Sequence, residues 1–186
     1  MELKNMVLVS RTGRHMQRYN ILGHRQVVGC IPYRYKSSNG ASIVDEEEIE
    51  VLVITAQRKG KGLLFPKGGW EKDETIEDAA LRETVEEAGV VGDVEQKLGK
   101  WNFKNKNNDT SYEGHMFPLL VTEQLESWPE KDVRQRIWVS VREARKSCQY
   151  WWMKEALELL VNRLTSQCNE ANMDCGSLGQ SRKSNL

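Results

Sequence analysis

The stretch Pro66–Val90 reads PKGGWEKDETIEDAALRETVEEAGV and joins a glycine pair to a run of charged residues. Thr75, followed three residues later by Asp78, is typical of a helix N-terminus, because a threonine hydroxyl accepts a hydrogen bond from the backbone there. Gly89 is the expected stop, since glycine enters the left-handed conformation without steric cost. The stretch therefore predicts a glycine-rich turn, a helix between Thr75 and Gly89, and a second turn.

The predicted helix places three carboxylates on one face. With about 100° of rotation per residue, Glu83, Glu86 and Glu87 share an arc of about 100°. Ala79 and Ala80 lie one turn earlier on that face and are too small to block approach. Like charges at this spacing destabilise a helix unless a cation joins them. Oxygen-rich sites of this kind suit Mg²⁺ or Mn²⁺. The alternative interpretation is that the three glutamates form an acidic helix face that is only solvated and binds no metal.

The spacing upstream favours the metal site. From Gly68 the chain has five residues, then Glu74, seven residues, and then the run RETVEEAGV, residues 82–90. This resembles the signature of the Nudix hydrolases, G-x5-E-x7-R-E-U-x-E-E-x-G-U, where U is a bulky aliphatic residue. Such a long match at fixed spacing is a strong signal. Thr84 departs mildly at the first U position and should leave the metal site undisturbed.

The resemblance implies a fold and a reaction. The fold is α/β, with a mixed β-sheet sandwiched between helices (α/β/α) and the motif as a loop–helix–loop. The reaction is Mg²⁺-dependent hydrolysis of a diphosphate bond, with Mn²⁺ as a possible substitute.

The resemblance also implies roles for individual motif residues. Glu83 and Glu87 would be metal ligands, together with the carbonyl of Gly68. Glu86 would ligate metal or act as the catalytic general base toward the attacking water. The residues implied to be structural are Glu74, Arg82 and Gly89, and Arg82 is also placed to pair with Glu86 one helical turn away.

Stretches outside the motif resemble the branch that hydrolyses diphosphoinositol polyphosphates and diadenosine polyphosphates, in the style of its plant members. These stretches, within about residues 18–160, are VLVITAQRKGKGLLFPKGGWE, VEEAGVVGDVEQKLGKW and LESWPEKDVRQRIWVSVREA. In that branch basic side chains surround the anhydride, and the matching stretches carry this role to Arg18, Arg25, Arg58, Arg134 and Arg136. Lys67 joins them, because a side chain beside Gly68 can hardly avoid the phosphates.

The substrate expectation follows from charge. An inositol ring with several phosphates needs many cationic donors and few aromatic stacking partners. The alternatives are dinucleoside polyphosphates, ADP-ribose, NADH and capped RNA, all nucleotides. A catalytically inactive module that only binds ligand is a further alternative, which the intact glutamates argue against. The expected partner is a small polyanion, either an inositol pyrophosphate or a dinucleoside polyphosphate, without a membrane, without a stable nucleic acid complex and with the chain as a monomer.

Composition sets the class and the compartment. The chain has 186 residues and zero net charge, with 39% apolar and 29% charged residues, as in ordinary globular proteins. Four cysteines without paired metal spacing indicate reduced thiols. Residues 1–36 hold seven Lys/Arg against Glu2 alone. This basic bias is compatible with a mitochondrial or plastid protein, although the cytoplasm or nucleus is the default expectation.

The chain divides into three parts. We expect residues 1–17 to form a basic N-terminal arm and residues 18–165 the domain that resembles Nudix hydrolases. Residues 166–186, rich in Ser, Gly and Asn, are expected to be a disordered tail. Within the domain, strands are expected at Arg25–Tyr35, Glu50–Gln57, Val94–Phe103 and Glu113–Thr122. Pro32 predicts an edge or a bulge. Ser140 and Glu143 predict a capping box, and a later helix carries an apolar stripe of Trp152, Ala156, Leu159, Leu160 and Leu164.

Overall fold

The computed structural model describes residues 10–11, 13–36, 45–57, 62–105 and 109–173, with the backbone alone for 167–173. Arg58, expected to contact the substrate, lies outside these residues. Most of the basic arm and residues 174–186 of the tail lie outside them as well.

Within the described residues the chain forms eight strands and three α-helices. The strands are β1 (Arg25–Tyr35), β2 (Ile49–Thr55), β3 (Leu63–Leu64), β4 (Lys67–Gly69), β5 (Val90–Val94), β6 (Gly99–Lys104), β7 (Ser111–Gln124) and β8 (Arg136–Ser140). The helices are α1 (Ile76–Ala88), α2 (Val141–Ser147) and α3 (Trp151–Met173), and a 3₁₀ turn at Glu46–Glu48 precedes β2.

Most expected elements are confirmed, and one is wrong. The strand predicted at Val94–Phe103 is two strands, because β5 ends at Val94 opposite Leu119 and β6 begins at Gly99 opposite Met116. Both pair with the long strand β7. The backbone of α3 continues to Met173, so the first residues of the expected tail are helical.

The sheet is mixed, with β1 at its centre. Its main path runs β3-β2-β1-β7-β5, and β4, β6 and β8 pair with β1, β7 and β2. The β1–β7 pair is parallel, whereas the other pairs are antiparallel. Pro32 therefore does not lie on an edge strand. It falls between the part of β1 that pairs with β4 and the part that pairs with β2, where no antiparallel partner needs its missing N–H.

Two apolar cores lie on opposite faces of the sheet. Val28 and Cys30 of β1 pack with Ala79 and Ala80 of α1. Alternate β1 residues, such as Ile31, pack with α2 and α3 on the other face, as the two-residue period of a strand requires. The sheet is therefore sandwiched between α1 and the pair α2–α3, which confirms the expected α/β/α class.

Two packing expectations need correction. Ala79 and Ala80 do not leave a solvent path beside the carboxylates, because both are fully buried against β1 and β7. In the α3 stripe, Trp152, Ala156, Leu160 and Leu164 are buried, but Leu159 is 44% exposed.

Candidate active site

Local sequence determines where the acidic helix begins and ends. The Thr75 hydroxyl accepts a hydrogen bond from the backbone N–H of Asp78, and Gly89 ends α1 with a φ of 61°. A side chain at Gly89 would also collide with Trp128. Both predicted ends of the helix are confirmed.

Arg82 connects the motif loop to the helix. Its guanidinium donates two hydrogen bonds to Glu74, at 2.8 and 2.7 Å, and one to the carbonyl of Gly69 at 3.0 Å. The remaining contacts reach Glu83 at 2.7 Å and Glu86 at 3.3 Å. Arg82 therefore holds two of the three carboxylates, and Glu74 clamps Arg82 in turn.

Glu83 and Glu87 lie against the glycine-rich turn. The backbone N–H of Lys67 donates to Glu87 at 2.8 Å. A Cβ atom at Gly68 would come within 1.9 Å of a Glu83 carboxylate oxygen. Only glycine lets the main chain approach the carboxylate so closely. This close approach explains why the motif has a glycine at position 68.

Glu86 points to a different set of partners. Its carboxylate accepts from the backbone N–H of Arg11 at 3.3 Å and from Arg82. Arg11 also pairs with Glu71 at 2.5 Å and with Asp73 at 3.0 Å. The segment before β1 thus closes over the helix at Glu86. The basic charge of this segment is visible in the sequence, but no local pattern links Arg11 to Glu86, which lies 75 positions later.

Burial dominates the electrostatics of the three carboxylates. It raises the pKa of Glu83 to about 8, and the charge of Arg82 offsets this only in part. Burial also raises the pKa of Glu86, although the charge of Arg82 opposes this shift. It raises the pKa of Glu87 as well, against the opposing charges of Lys67 and Arg134. Carboxylates desolvated in this way favour a nearby cation.

The donor set fits a hard divalent cation. Within the described residues no three His, Cys, Asp or Glu side chains converge closely enough to hold a metal by themselves. Glu83 and Glu87 both line the cleft described below, together with Gly68. Mg²⁺ is commonly held by one or two carboxylates, with water and substrate phosphate completing the shell. The residues that would hold it are Glu83, Glu87 and the carbonyl of Gly68.

A cleft of about 1200 Å³ opens beside these residues. Two carboxylates, Glu83 and Glu87, line it against seven basic side chains. The basic residues come from the segment before β1, from the sheet, from the segment before β8 and from α2 and α3: Arg11, Arg25, Lys67, Lys104, Arg134, Lys146 and Lys154. Lys104, Lys146 and Lys154 form no salt bridge with the described residues. The sequence did not indicate them as cleft residues, because each is a single lysine at a strand end or on a helix, without a motif around it.

The expected substrate residues are divided by the fold. Arg25, Lys67 and Arg134 line the cleft. Arg18 donates to the carbonyls of Glu71 and Lys72, both at 2.9 Å. The guanidinium of Arg18 also lies over the ring of Trp70. These contacts hold Arg18 against the motif loop, and Arg18 does not line the cleft.

Arg136 is held at the C-terminal end of α1. It donates to the carbonyl of Gly89 at 2.7 Å and to that of Leu125 at 2.9 Å, and it stacks 4.2 Å over the ring of Trp128. Helix C-termini leave carbonyls without partners, and Arg136 satisfies them.

Comparison with known proteins agrees with this geometry. The NUDIX domain model matches residues 35–160. The chain belongs to the Nudix family. Nudix hydrolase 17, mitochondrial, of Arabidopsis thaliana is 63% identical over 167 residues, covering 90% of each chain. Nudix hydrolase 21, chloroplastic, of the same plant is 61% identical and covers 86% of this chain and 78% of its own. The protein is accordingly a Nudix hydrolase, an enzyme that cleaves phosphoanhydride bonds.

More distant proteins share the fold. A mouse diphosphoinositol polyphosphate phosphohydrolase 3-alpha is 32% identical over 133 residues, covering 70% of this chain and 73% of its own. A NUDIX hydrolase structure from Nitrosomonas europaea has a TM-score of 0.60 at 18% identity, over 76% of this chain and 91% of that chain. The binary complex of a C. elegans Ap4A hydrolase has a TM-score of 0.55 at 20% identity, over 76% and 98%. Nudix enzymes generally use divalent metal ions such as Mg²⁺ and act on small phosphate-containing substrates. No helix among the described residues has the length and apolarity needed to span a membrane.

Proposed function

We propose that this Nudix hydrolase removes a phosphate from diphosphoinositol polyphosphates in a Mg²⁺-dependent reaction. The excess of basic side chains in the cleft carries the proposal: seven basic residues line it against two acidic ones. A substrate with phosphates around a ring offers a partner to cations on several walls, whereas a single diphosphate would leave most of them unused. The mouse phosphohydrolase relative supports the same branch.

The residues divide the chemistry between them. A bound divalent cation supplies charge neutralisation of the phosphate oxygens and lowers the pKa of water. Lys67 and Arg134 hold the phosphates flanking the scissile bond. Glu86, oriented by Arg82 and by the N–H of Arg11, takes the proton of the attacking water. Because burial raises the pKa of Glu86, its basicity lies closer to neutral pH, where a general base is most effective.

A substrate panel tests the proposal. The purified protein is given diphosphoinositol pentakisphosphate, diadenosine polyphosphates, ADP-ribose, NADH and capped RNA, each with and without Mg²⁺, and kcat/KM is measured. We expect the diphosphoinositol substrate to be preferred, with Mn²⁺ able to replace Mg²⁺. A clear preference for ADP-ribose would overturn the branch assignment.

Dinucleoside polyphosphates are the second candidate, and one observation favours them. The cleft lining includes aromatic residues, among them Tyr112, Tyr150 and Trp151, and Trp151 is 54% exposed. An exposed indole can stack on a base. If this candidate is correct, Trp151→Ala raises KM for diadenosine polyphosphates and leaves KM for the inositol substrate unchanged.

The relatives also bear on compartment and assembly. Several carry mitochondrial or chloroplastic names, so we propose an organelle over the cytoplasm or nucleus. A fluorescent fusion of the full chain in plant cells tests this. We further propose a monomer without stable nucleic acid binding, which light scattering and a gel-shift assay check.

A further inference from the structure

Glu130 is not among the residues that line the cleft, but it lies where three parts of the chain meet. It belongs to the segment between β7 and β8. Its backbone N–H donates to the carbonyl of Glu86 at 3.1 Å, and its carboxylate accepts from Gln57, beyond the end of β2, at 3.4 Å. Its side chain is only 18% exposed. Glu130 is therefore anchored both to α1 and to the chain just beyond β2.

The main partner of this carboxylate is Arg134. The Nε of Arg134 donates to Glu130, four residues earlier in the same turn segment, at 2.5 Å. The Nη1 of Arg134 donates to the carbonyl of Thr55 at 3.1 Å, and Nη2 donates to Glu87 at 2.6 Å. These contacts fix the plane of a guanidinium that is itself 8% exposed. An arginine has five N–H donors, so two remain for a ligand in the cleft.

Arg134 is shared between two carboxylates with different tasks. Glu87 is the proposed metal ligand, whereas Glu130 does not line the cleft. Without Glu130, the described carboxylate that still contacts Arg134 is Glu87. The guanidinium would then shift toward Glu87 and away from the proposed position of the substrate phosphate.

We propose that Glu130 is a positioning residue, which holds Arg134 at its Nε edge so that the free N–H groups of Arg134 face a substrate phosphate and Glu87 stays available to the cation. The proposal rests on the proposed function, in which Arg134 binds phosphate. Glu130 would act through Arg134 and would not itself contact the reacting atoms.

Kinetics of Glu130 variants test the proposal. Glu130→Ala should raise KM for the preferred substrate by roughly tenfold to hundredfold, since a hydrogen bond between charged groups is lost, with a smaller change in kcat. Glu130→Gln keeps an acceptor oxygen without the charge and should give an intermediate KM. Glu126→Ala removes an exposed carboxylate of the same segment and should leave KM unchanged.

A double-mutant cycle separates positioning from general damage to the fold. If Glu130 acts through Arg134, Glu130→Ala has no further effect on KM in the Arg134→Ala background. An equal effect in both backgrounds, or an unchanged KM in Glu130→Ala, would overturn the proposal. Melting temperatures of all variants are measured alongside, and Glu130→Gln replaces Glu130→Ala in the cycle if the alanine variant does not fold.

Binding without turnover distinguishes this proposal from the proposed function. Inositol hexakisphosphate carries no diphosphate bond and probes the cleft by calorimetry in the presence of Mg²⁺. Failure of the unmodified protein to hydrolyse any panel substrate would overturn the proposed function alone. Equal hexakisphosphate affinity of the unmodified protein and the Glu130 variants would overturn the role of Glu130.

Discussion

At the residue scale, the three motif glutamates differ in their surroundings although they share one helix face. Glu83 meets the glycine turn, Glu87 lies between Lys67 and Arg134, and Glu86 faces Arg11. Burial raises the pKa of each carboxyl, but the partners differ. The face therefore provides two carboxylates that line the cleft and a third, Glu86, with separate partners, which is the proposed base.

We expect Glu86→Gln to retain the fold and lose most turnover, because the amide keeps the shape but cannot accept the proton. A loss of roughly 10²–10⁴-fold in kcat is typical of a general base. Glu77→Gln, on the exposed first turn of α1, serves as the control with normal turnover. Near-normal kcat in Glu86→Gln, with an unchanged melting temperature, would show that the base is another group.

Gly68→Ala should disturb both stability and activity, because its Cβ would enter the space of the Glu83 carboxylate. Overpacking of this kind costs roughly 1–3 kcal/mol in the free energy of unfolding, which denaturant titration measures. Gly23→Ala provides a contrast, since space is free around Gly23 and only its positive φ opposes a side chain. If Gly68→Ala kept full Mg²⁺-dependent activity, the close approach of the glycine turn would be unnecessary.

At the element scale, α1 is held at its C-terminal end by a residue from β8. Arg136 donates to carbonyls of the helix end and stacks on Trp128, and burial lowers the pKa of Arg136. These contacts place Arg136 in a supporting position for the helix. The expectation from the family resemblance, that Arg136 binds substrate, predicts a different outcome on mutation.

We expect Arg136→Gln to lower the free energy of unfolding by roughly 1–3 kcal/mol, because buried carbonyls lose their donor. Its KM should change much less than that of Arg134→Gln. Arg142→Gln, an exposed arginine of α2, is the matched control for loss of positive charge. A rise in KM with unchanged stability would instead support a substrate contact for Arg136.

At the scale of the whole molecule, Arg145 ties three elements together on the face opposite α1. It pairs with Glu46 of the 3₁₀ turn and with Glu158 of α3, the latter at 2.6 Å. The hydrogen bond from Arg145 lowers the pKa of Glu46, against a smaller effect of burial. Partly exposed ion pairs contribute modestly to stability. The contribution of the Arg145–Glu46 pair should therefore be detected mainly through the pH dependence of the free energy of unfolding.

The stabilisation by Glu46 is fully present above its ordinary pKa and is lost as the pH falls through the lowered pKa of the folded state. Glu46→Gln should therefore be less stable than the unmodified protein at pH 7, by roughly 0.2–1 kcal/mol. The difference should vanish in acid, as thermal melts between pH 7 and pH 3 measure. Glu47→Gln, an exposed neighbour, should show no such pH dependence, and a constant difference for Glu46→Gln would exclude the ion pair as its cause.

The sequence by itself determined the loop–helix–loop of Pro66–Val90, its two ends and the face that its glutamates share. These are local properties, because caps and helical periodicity act over three or four residues. Strand β1 and the capping box at Ser140 followed from equally local patterns.

Only the tertiary structure decided which residues meet that helix. Arg11, Glu130 and Arg134 reach α1 from distant parts of the chain, and no local pattern specifies such pairings. The sequence likewise left Ala79 and Ala80 on an apparently open face, whereas packing of α1 onto β1 and β7 buries them. Periodicity shows which residues share a face, but long-range packing determines what that face contacts, because burial depends on elements that pair across the whole fold.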